Sequence, residues 1–325
     1  MHESGRPCLP VHKKYILEKK MHESTEVFFR FLGEHSLTLD PVLVTLHLFG
    51  TSFAIRWYGV IIALGFALAV LFGGRQVWKG FLQKPQLQRY SLPKWHTSLE
   101  GILDVLFAGT IAGILGARLY YVAFQWENYR DNLSQILNIR GGGLAIYGGL
   151  IGGLLGAFWM CRRRDISPRR LLDLAGMGFL IGQGIGRWGN FVNQEAFGGN
   201  TSAPWGMRSA QTIAYLSANP QPGVDPNGFV HPTFLYESLW CLLGVGVLWL
   251  IFRKAYHFSG QIFLCYGLWY GTARFFIEAL RTDSLMFAGL RVSQWLSLAM
   301  VFVSAVLLLI GLARNRKCIA HYPGK

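Results

Sequence analysis

LLDLAGMGFLIGQGIGRWGNFVNQEAFGG, residues 171–199, decides the fold class and poses the functional question in one stretch. Its first half, residues 171–185, is apolar and rich in glycine, and reads as a lipid-facing or lipid-buried helix. Its second half then delivers Arg187, Asn190, Asn193 and Glu195 within nine residues. Charged groups in hydrocarbon cost on the order of several kcal/mol each, so a cluster placed where a helix leaves the bilayer needs a reason.

The rest of the chain has the same character. Of its 325 residues, 52% are hydrophobic and 15% charged, whereas soluble domains run near a quarter charged. Several apolar runs approach the roughly 20 residues that cross about 30 Å of hydrocarbon. The chain is therefore expected to be an all-α polytopic membrane protein. About seven spans are expected, at 56–74, 101–123, 143–161, 171–187, 234–252, 260–279 and 292–313. The net charge of +14 fits cytoplasmic loops filled with Lys and Arg better than a nucleic-acid partner, and none is expected. The cysteines, Cys8, Cys161, Cys241, Cys265 and Cys318, form no CxxC pair and no metal spacing. No disulfide, metal or cofactor is expected, and Cys241 and Cys265 read as packed thiols.

Loop charge sets the orientation. Arg75, Lys79, Lys84, Arg89 and Lys94 lie in loop 75–100, RRRDISPRR fills 162–170, Arg253 and Lys254 follow the fifth span, and the tail carries Arg314, Arg316 and Lys317. These are alternate loops, so all fall on one side, the cytoplasm, with the N-terminus outside and the C-terminus inside. Three regions follow. Residues 1–36 are an N-terminal extension, poorly ordered or interfacial, with MHES repeated at Met1 and Met21. Residues 37–313 are expected to form the transmembrane domain that carries any site, and 314–325 a basic cytoplasmic tail. No apolar signal-peptide core follows the early basic residues. Segment 188–233, punctuated by NPQPGVDPNG, is expected to be a small extracytoplasmic lobe, and residues 37–50 to lie along the outer interface. Small residues at four-residue spacing (Gly148, Gly152, Gly156; Gly178, Gly182, Gly186; Ala108, Ala112, Gly116) predict close helix contacts.

On this topology the polar groups of six helices fall at one depth, the outer leaflet: Arg56 and Tyr58; Arg118; Tyr147; the Arg187 cluster; His231 and Glu237; Arg274 and Glu278, with Arg281 just beyond. Bland readings compete with a site. Arg56 and Trp57 can be an interfacial belt, and Arg281 an anchor. Arg274 and Glu278 can be a plain (i, i+4) pair. Arginine forks bind phosphate, amides serve a polar headgroup, and glutamates hold arginines or move protons. The combination suits holding a lipid phosphate and stabilising it as it leaves. A transporter would place its ionisable groups near the midplane. An outer-leaflet lipid-binding transporter or scaffold stands as the alternative.

GRWGNFVNQEAFGG resembles the signature of the prolipoprotein diacylglyceryl transferases. DPVLVTLHLFGTSFAIRWYG, RGGGLAIYGGLIGG, HPTFLYES and YGTARFFIEALRTD resemble that family's other blocks, in order, across roughly residues 39–312. The resemblance implies transfer of the sn-1,2-diacylglyceryl group of phosphatidylglycerol to the lipobox cysteine of a preprolipoprotein, in the bacterial inner membrane among its lipids. A thioether forms and glycerol phosphate is released. It implies Arg187 and Arg274 as the headgroup and phosphate arginines. Asn190, Asn193, Glu195 and Tyr58 line the pocket with His231 of the HPTFLYES block, and Glu237 and Glu278 orient the others. Where many relatives carry histidine before the paired glycines, this chain has Tyr147. Histidine is the natural base near neutrality; tyrosine, ionising near pH ~10, is a poor one. Either Tyr147 positions the lipid by hydrogen bonding, the favoured reading, or a phosphate oxygen or a glutamate takes the thiol proton.

Overall fold

The computed structural model describes residues 25–33, 35–48, 51–78, 99–130, 132–138, 142–281, 286–287 and 289–321. Most of the extension before residue 25 and the loop lysines and arginine at 79, 84, 89 and 94 lie outside the described residues. The long helices are α1 (Trp57–Trp78), α2 (Leu99–Phe124), α3 (Ile146–Arg163) and α4 (Pro168–Asn193), then α6 (Thr233–Lys254), α7 (Gln261–Leu280) and α8 (Val292–His321), with a short α5 (Ala210–Ala218) between α4 and α6. Each expected span overlaps one of the seven long helices found among the described residues. Among the described residues, four segments are long and apolar enough to cross a bilayer by length and composition: Trp57–Gln76, Glu100–Phe124, Thr233–Lys254 and Val292–Asn315. In α4 and α7 the residues that dilute the hydropathy include those singled out above, among them Arg187, Asn190, Arg274 and Glu278.

The expectation of an all-α chain needs correction. Strands β1 (Thr25–Phe29), β2 (Ser36–Leu39) and β5 (Met207–Ser209) form a small antiparallel sheet, ordered β2-β1-β5. Strands β3 (Val42–Leu48) and β4 (Thr51–Arg56) form a hairpin, and β6 (Met286–Phe287) pairs with β7 (Leu290–Arg291). The cause lies in the sequence: VLVTLHL and TSFAIR are short, rich in β-branched and aromatic residues, and separated by two residues. A domain boundary at residue 36 would also cut this sheet, since Val27 pairs with both Leu37 and Ser209. The tail expected from 314 begins inside α8, which runs on to His321.

The chain divides into two compact units. In the unit comprising Val70–Gly178 and His257–Phe263, α2 and α3 meet through the expected small residues. A Cβ built on Gly116 would lie 3.0 Å from the Gly152 Cα, and one on Gly113 would lie 3.2 Å from the Gly149 carbonyl oxygen. At Gly116, where a Cβ would also run into the Gly148 carbonyl, only glycine permits that approach; at Gly113 a side chain would be tight. Arg118 is buried here, which corrects its reading as an outer-leaflet functional group. Its guanidinium donates to the carbonyls of Gln135 (2.6 Å), Ile136 (2.7 Å), Gly142 (3.0 Å) and Gly143 (2.8 Å), fixing the turn that leads into α3. Both glycines have positive φ, which spares a side chain the left-handed strain. Asp173 accepts from the backbone N–H of Gly260 (2.7 Å) and Phe263 (3.1 Å) around the start of α7, where unpaired donors and the helix dipole favour a carboxylate.

The other unit holds the described parts of Met1–Ala69, Phe179–Tyr256 and Leu264–Lys325. Its core joins sheet to helices: Val27, Phe29, Met207, Leu216 and Val230 pack with Phe197, Phe191 of α4 and Phe234 of α6. Phe191 and Phe234 stack with centroids 4.7 Å apart. This contact clamps the end of α4 to the start of α6. Cys241 is fully buried, and Cys265 half-buried.

Gly116→Ala is expected to destabilise the protein by about 1–3 kcal/mol, through overpacking of α2 on α3. Gly73→Ala, where a Cβ meets open space, is expected to leave the melting temperature in detergent unchanged. Equal melting temperatures for the two variants would contradict the packing described.

Candidate active site

Three helix ends build the candidate site within one unit. Arg187 and Asn190 lie in the last two turns of α4, Glu237 in the second turn of α6, and Arg274 and Glu278 toward the end of α7. Glu237 is the pivot. Its carboxylate is almost wholly buried, 2% exposed, and each oxygen takes a different arginine. Oε1 accepts from Arg187 Nη2 at 2.6 Å, and Oε2 from Arg274 Nη1 at 3.3 Å. Tyr270 also donates its hydroxyl to Oε1, at 3.3 Å. Arg274 turns its second nitrogen to Glu278 Oε2, 2.7 Å away. So the (i, i+4) pair expected as a bland alternative does form, but as one edge of a larger network.

The network continues through amides. Arg187 Nη1 donates to Asn190 Oδ1 (3.2 Å), Asn190 Nδ2 to Glu195 Oε1 (2.8 Å), and Asn193 Nδ2 to the same oxygen (3.4 Å). The chain folds back to allow this. Past the end of α4, the Gln194 N–H returns to the Phe191 carbonyl and the Glu195 N–H to the Asn190 carbonyl, the double closure of a helix that ends in a left-handed residue. Gln194 takes that conformation at φ 53°, and Ala196 follows at φ 57°. Two non-glycine residues in this region flank Glu195, a local strain of the kind that clusters at functional sites.

Arg187 and Arg274 with Glu237 and Glu278 are formally neutral, which makes four ionised groups tolerable at low dielectric. Each guanidinium carries five N–H donors, and the contacts above use only two nitrogens of each. About a fifth of each arginine side chain stays exposed, 21% and 18%. The carboxylates thus aim the forks and leave donors for an incoming anion.

The remaining expected residues fall in different places. Tyr58, the second residue of α1, lays its ring against Gly189: a Cβ there would come within 2.7 Å of Tyr58 Cδ2. It therefore covers the turn between Arg187 and Asn190. His231 is not bonded to the arginines. Its Nδ1 lies 3.0 Å from the Tyr236 hydroxyl, which also accepts from Trp205 Nε1 at 2.7 Å. Burial lowers the His231 pKa from its ordinary 6.5, keeping the ring neutral near pH 7. His231 therefore links the 188–233 segment to the head of α6. Tyr147 belongs to the other unit, where it is exposed in the first turn of α3.

Sequence reasoning missed Tyr270, Gly189 and the strained Gln194. Tyr270 was findable: Tyr270, Arg274 and Glu278 are four apart and share one helical face. Gly189 and Gln194 carry no chemistry of their own, and their roles depend on what packs beside them.

Comparison with known proteins bears on this arrangement. The family model for prolipoprotein diacylglyceryl transferase matches residues 43–310. The chain is similar to three proteins named phosphatidylglycerol–prolipoprotein diacylglyceryl transferase. That of Enterococcus faecalis is 44% identical over 276 residues, covering 84% of this chain and 91% of the relative. That of Bacillus cereus is 40% identical over 274 residues, 84% and 92% of the two chains. That of Streptococcus suis is 38% identical over 292 residues, 89% and 98%. Strands β1 and β2 lie before the matched span.

Glu237→Gln is expected to cost about 3–5 kcal/mol of stability, because it leaves two guanidiniums facing each other without their shared counter-charge. Glu237→Asp should recover part of the loss. Thermal unfolding in detergent measures both, and a Gln variant as stable as the wild type would contradict the pivot role.

Proposed function

The chain belongs to the prolipoprotein diacylglyceryl transferase family, and from that premise we propose that it moves the diacylglyceryl group of phosphatidylglycerol onto the lipobox cysteine thiol of preprolipoproteins. The observation that supports this reading best is the Arg187–Glu237–Arg274 bridge, two aimed arginine forks with donors to spare. The substrate's sulfur attacks the glyceryl carbon that bears the phosphate ester. A C–S bond forms as the C–O bond breaks, and the electron pair leaves on the phosphate oxygen of glycerol phosphate. Arg187 and Arg274 receive that growing charge, and stabilisation of this kind in a partly dry site contributes several kcal/mol. The nucleophile is the substrate's own, and a free thiol of pKa ~8.5 is only a few per cent thiolate near neutrality.

Glu237 and Glu278 position the arginines, Asn190, Asn193 and Tyr58 hold the glycerol headgroup, and Glu195 fixes the two amides. His231 steadies the wall of the pocket through Tyr236. Tyr147 positions the lipid by hydrogen bonding, and the thiol proton goes to a phosphate oxygen or a glutamate. All seven long helices cross the membrane, which is the bacterial inner membrane, with the N-terminus outside and the C-terminus cytoplasmic. The site then opens on the extracytoplasmic face, where lipobox cysteines arrive. Arg187 and Arg274 lie toward the ends of α4 and α7 and Glu237 near the start of α6, whose other end carries Arg253 and Lys254, and this supports that orientation.

The test is incubation of the full chain with labelled phosphatidylglycerol and a lipobox peptide, scoring the thioether product. Arg187→Ala and Arg274→Ala should abolish transfer in protein that still inserts, and Arg187→Lys should lose most of it, since an ammonium cannot reproduce the fork. Tyr147→Phe should lower the rate without moving the pH optimum; a shifted optimum would assign it a titrating role. Full activity in Arg187→Lys would overturn the bidentate contact.

A further inference from the structure

Strand β4 carries Arg56 to the head of α1, where the chain forms a cleft of 490 Å³. Its apolar wall includes Ile55, Val60 and Ala63, and its polar side Arg56, Tyr58 and Asn193. Two of those residues belong to the candidate active site: Tyr58 packs on Gly189, and Asn193 is tied through Glu195 and Asn190 to Arg187. Arg56 differs from the other site arginines. Arg187 and Arg274 are held by buried carboxylates, whereas Arg56 is exposed and has no carboxylate partner among the described residues. It also directly precedes Trp57–Gln76, one of the segments apolar enough to cross a bilayer. A guanidinium at that position lies at headgroup level.

Resting on the transferase reading, we infer that this cleft takes up the headgroup end of an anionic phospholipid, with Arg56 on its phosphodiester before that group passes to Arg187 and Arg274, and that Arg56 selects net-negative lipids over zwitterionic ones. An unneutralised guanidinium attracts the phosphate and repels the ammonium of a zwitterionic headgroup, whereas a diol headgroup carries no opposing charge. The apolar wall suits the first methylenes of an acyl chain and offers nothing to a free, fully hydrated phosphate. The cleft is too small for a whole diacyl lipid, so the chains continue along α1, where Ile62 and Phe66 are exposed four residues apart. Tyr58 and Asn193 then join the lipid in this cleft to the Arg187 network.

The test uses the full chain in nanodiscs, with photoreactive benzoylphenylalanine in place of Ala63. Phosphatidylglycerol should be captured roughly fivefold more than phosphatidylcholine, the effect of one arginine at a charged lipid surface. Arg56→Gln should remove that preference, and Arg56→Lys should keep most of it. Free glycerol phosphate at millimolar concentration should not displace the lipid. In turnover, Arg56→Gln should raise the apparent KM for phosphatidylglycerol roughly fivefold while kcat stays within about twofold. Equal capture of the two lipids by the wild type, unchanged preference in Arg56→Gln, displacement by glycerol phosphate, or a kcat loss at constant KM would each overturn the inference. Selective capture without any thioether product would uphold the lipid cleft and remove the transferase reading instead.

Discussion

One buried carboxylate shared between two arginines is the constraint on which the rest of this site depends. Taking an ion from water into a protein interior costs several kcal/mol even after relaxation. Glu237 meets that cost by facing Arg187 with one oxygen and Arg274 with the other. The arginines gain as much as the carboxylate does. Without it, two like charges on α4 and α7 would repel across the bundle; with it, both forks are fixed before any substrate arrives. Such preorganisation is what charge stabilisation in a reaction requires, because little reorganisation is left for the moment when charge moves.

The packing around the pivot explains why that geometry holds. Phe191 follows Asn190 directly and Phe234 lies three residues before Glu237, and their stacked rings draw α4 and α6 together beside the ion pairs. Trp188 adds a hydrogen bond to Ser238, whose hydroxyl donates to the Gly184 carbonyl. The small sheet completes this apolar cluster, so strands far from the chemistry hold the helix ends that carry it. The left-handed turn at Gln194 then brings Glu195 back over Asn190. Local strain is offset by a core that leaves the backbone little alternative.

The class of the protein, the positions of its seven long helices and the gathering of Arg187, Asn190, Glu195, Glu237, Arg274 and Glu278 were legible in the sequence. Charge and hydropathy act over whole segments, and a buried charge announces itself wherever it stands in an apolar run. The strands were not legible in the same way. The hairpin Val42–Arg56 does alternate, with Val44, Leu46 and Leu48 set against Thr45 and His47, but its large apolar residues, among them Leu46 and Phe53, stay exposed and adjoin an apolar span, so the segment reads as interfacial rather than as strand. Nor could sequence alone say that Arg118 serves a backbone turn while Arg187 serves the site. Both are arginines near the end of an apolar helix, and only their acceptors, carbonyls for one and a carboxylate for the other, separate them. His231 shows the same limit, since its partner is Tyr236 rather than an arginine.

The most direct test of a common anion receptor is a double-mutant cycle on lipid binding, comparing wild type, Arg187→Lys, Arg274→Lys and the double variant for equilibrium affinity toward phosphatidylglycerol in mixed micelles. Two forks that share one phosphate and one carboxylate must couple, so the double variant should bind only slightly more weakly than either single one, with an interaction energy above about 1 kcal/mol. Losses that simply add would mean that Arg187 and Arg274 meet no ligand in common, and would contradict the account.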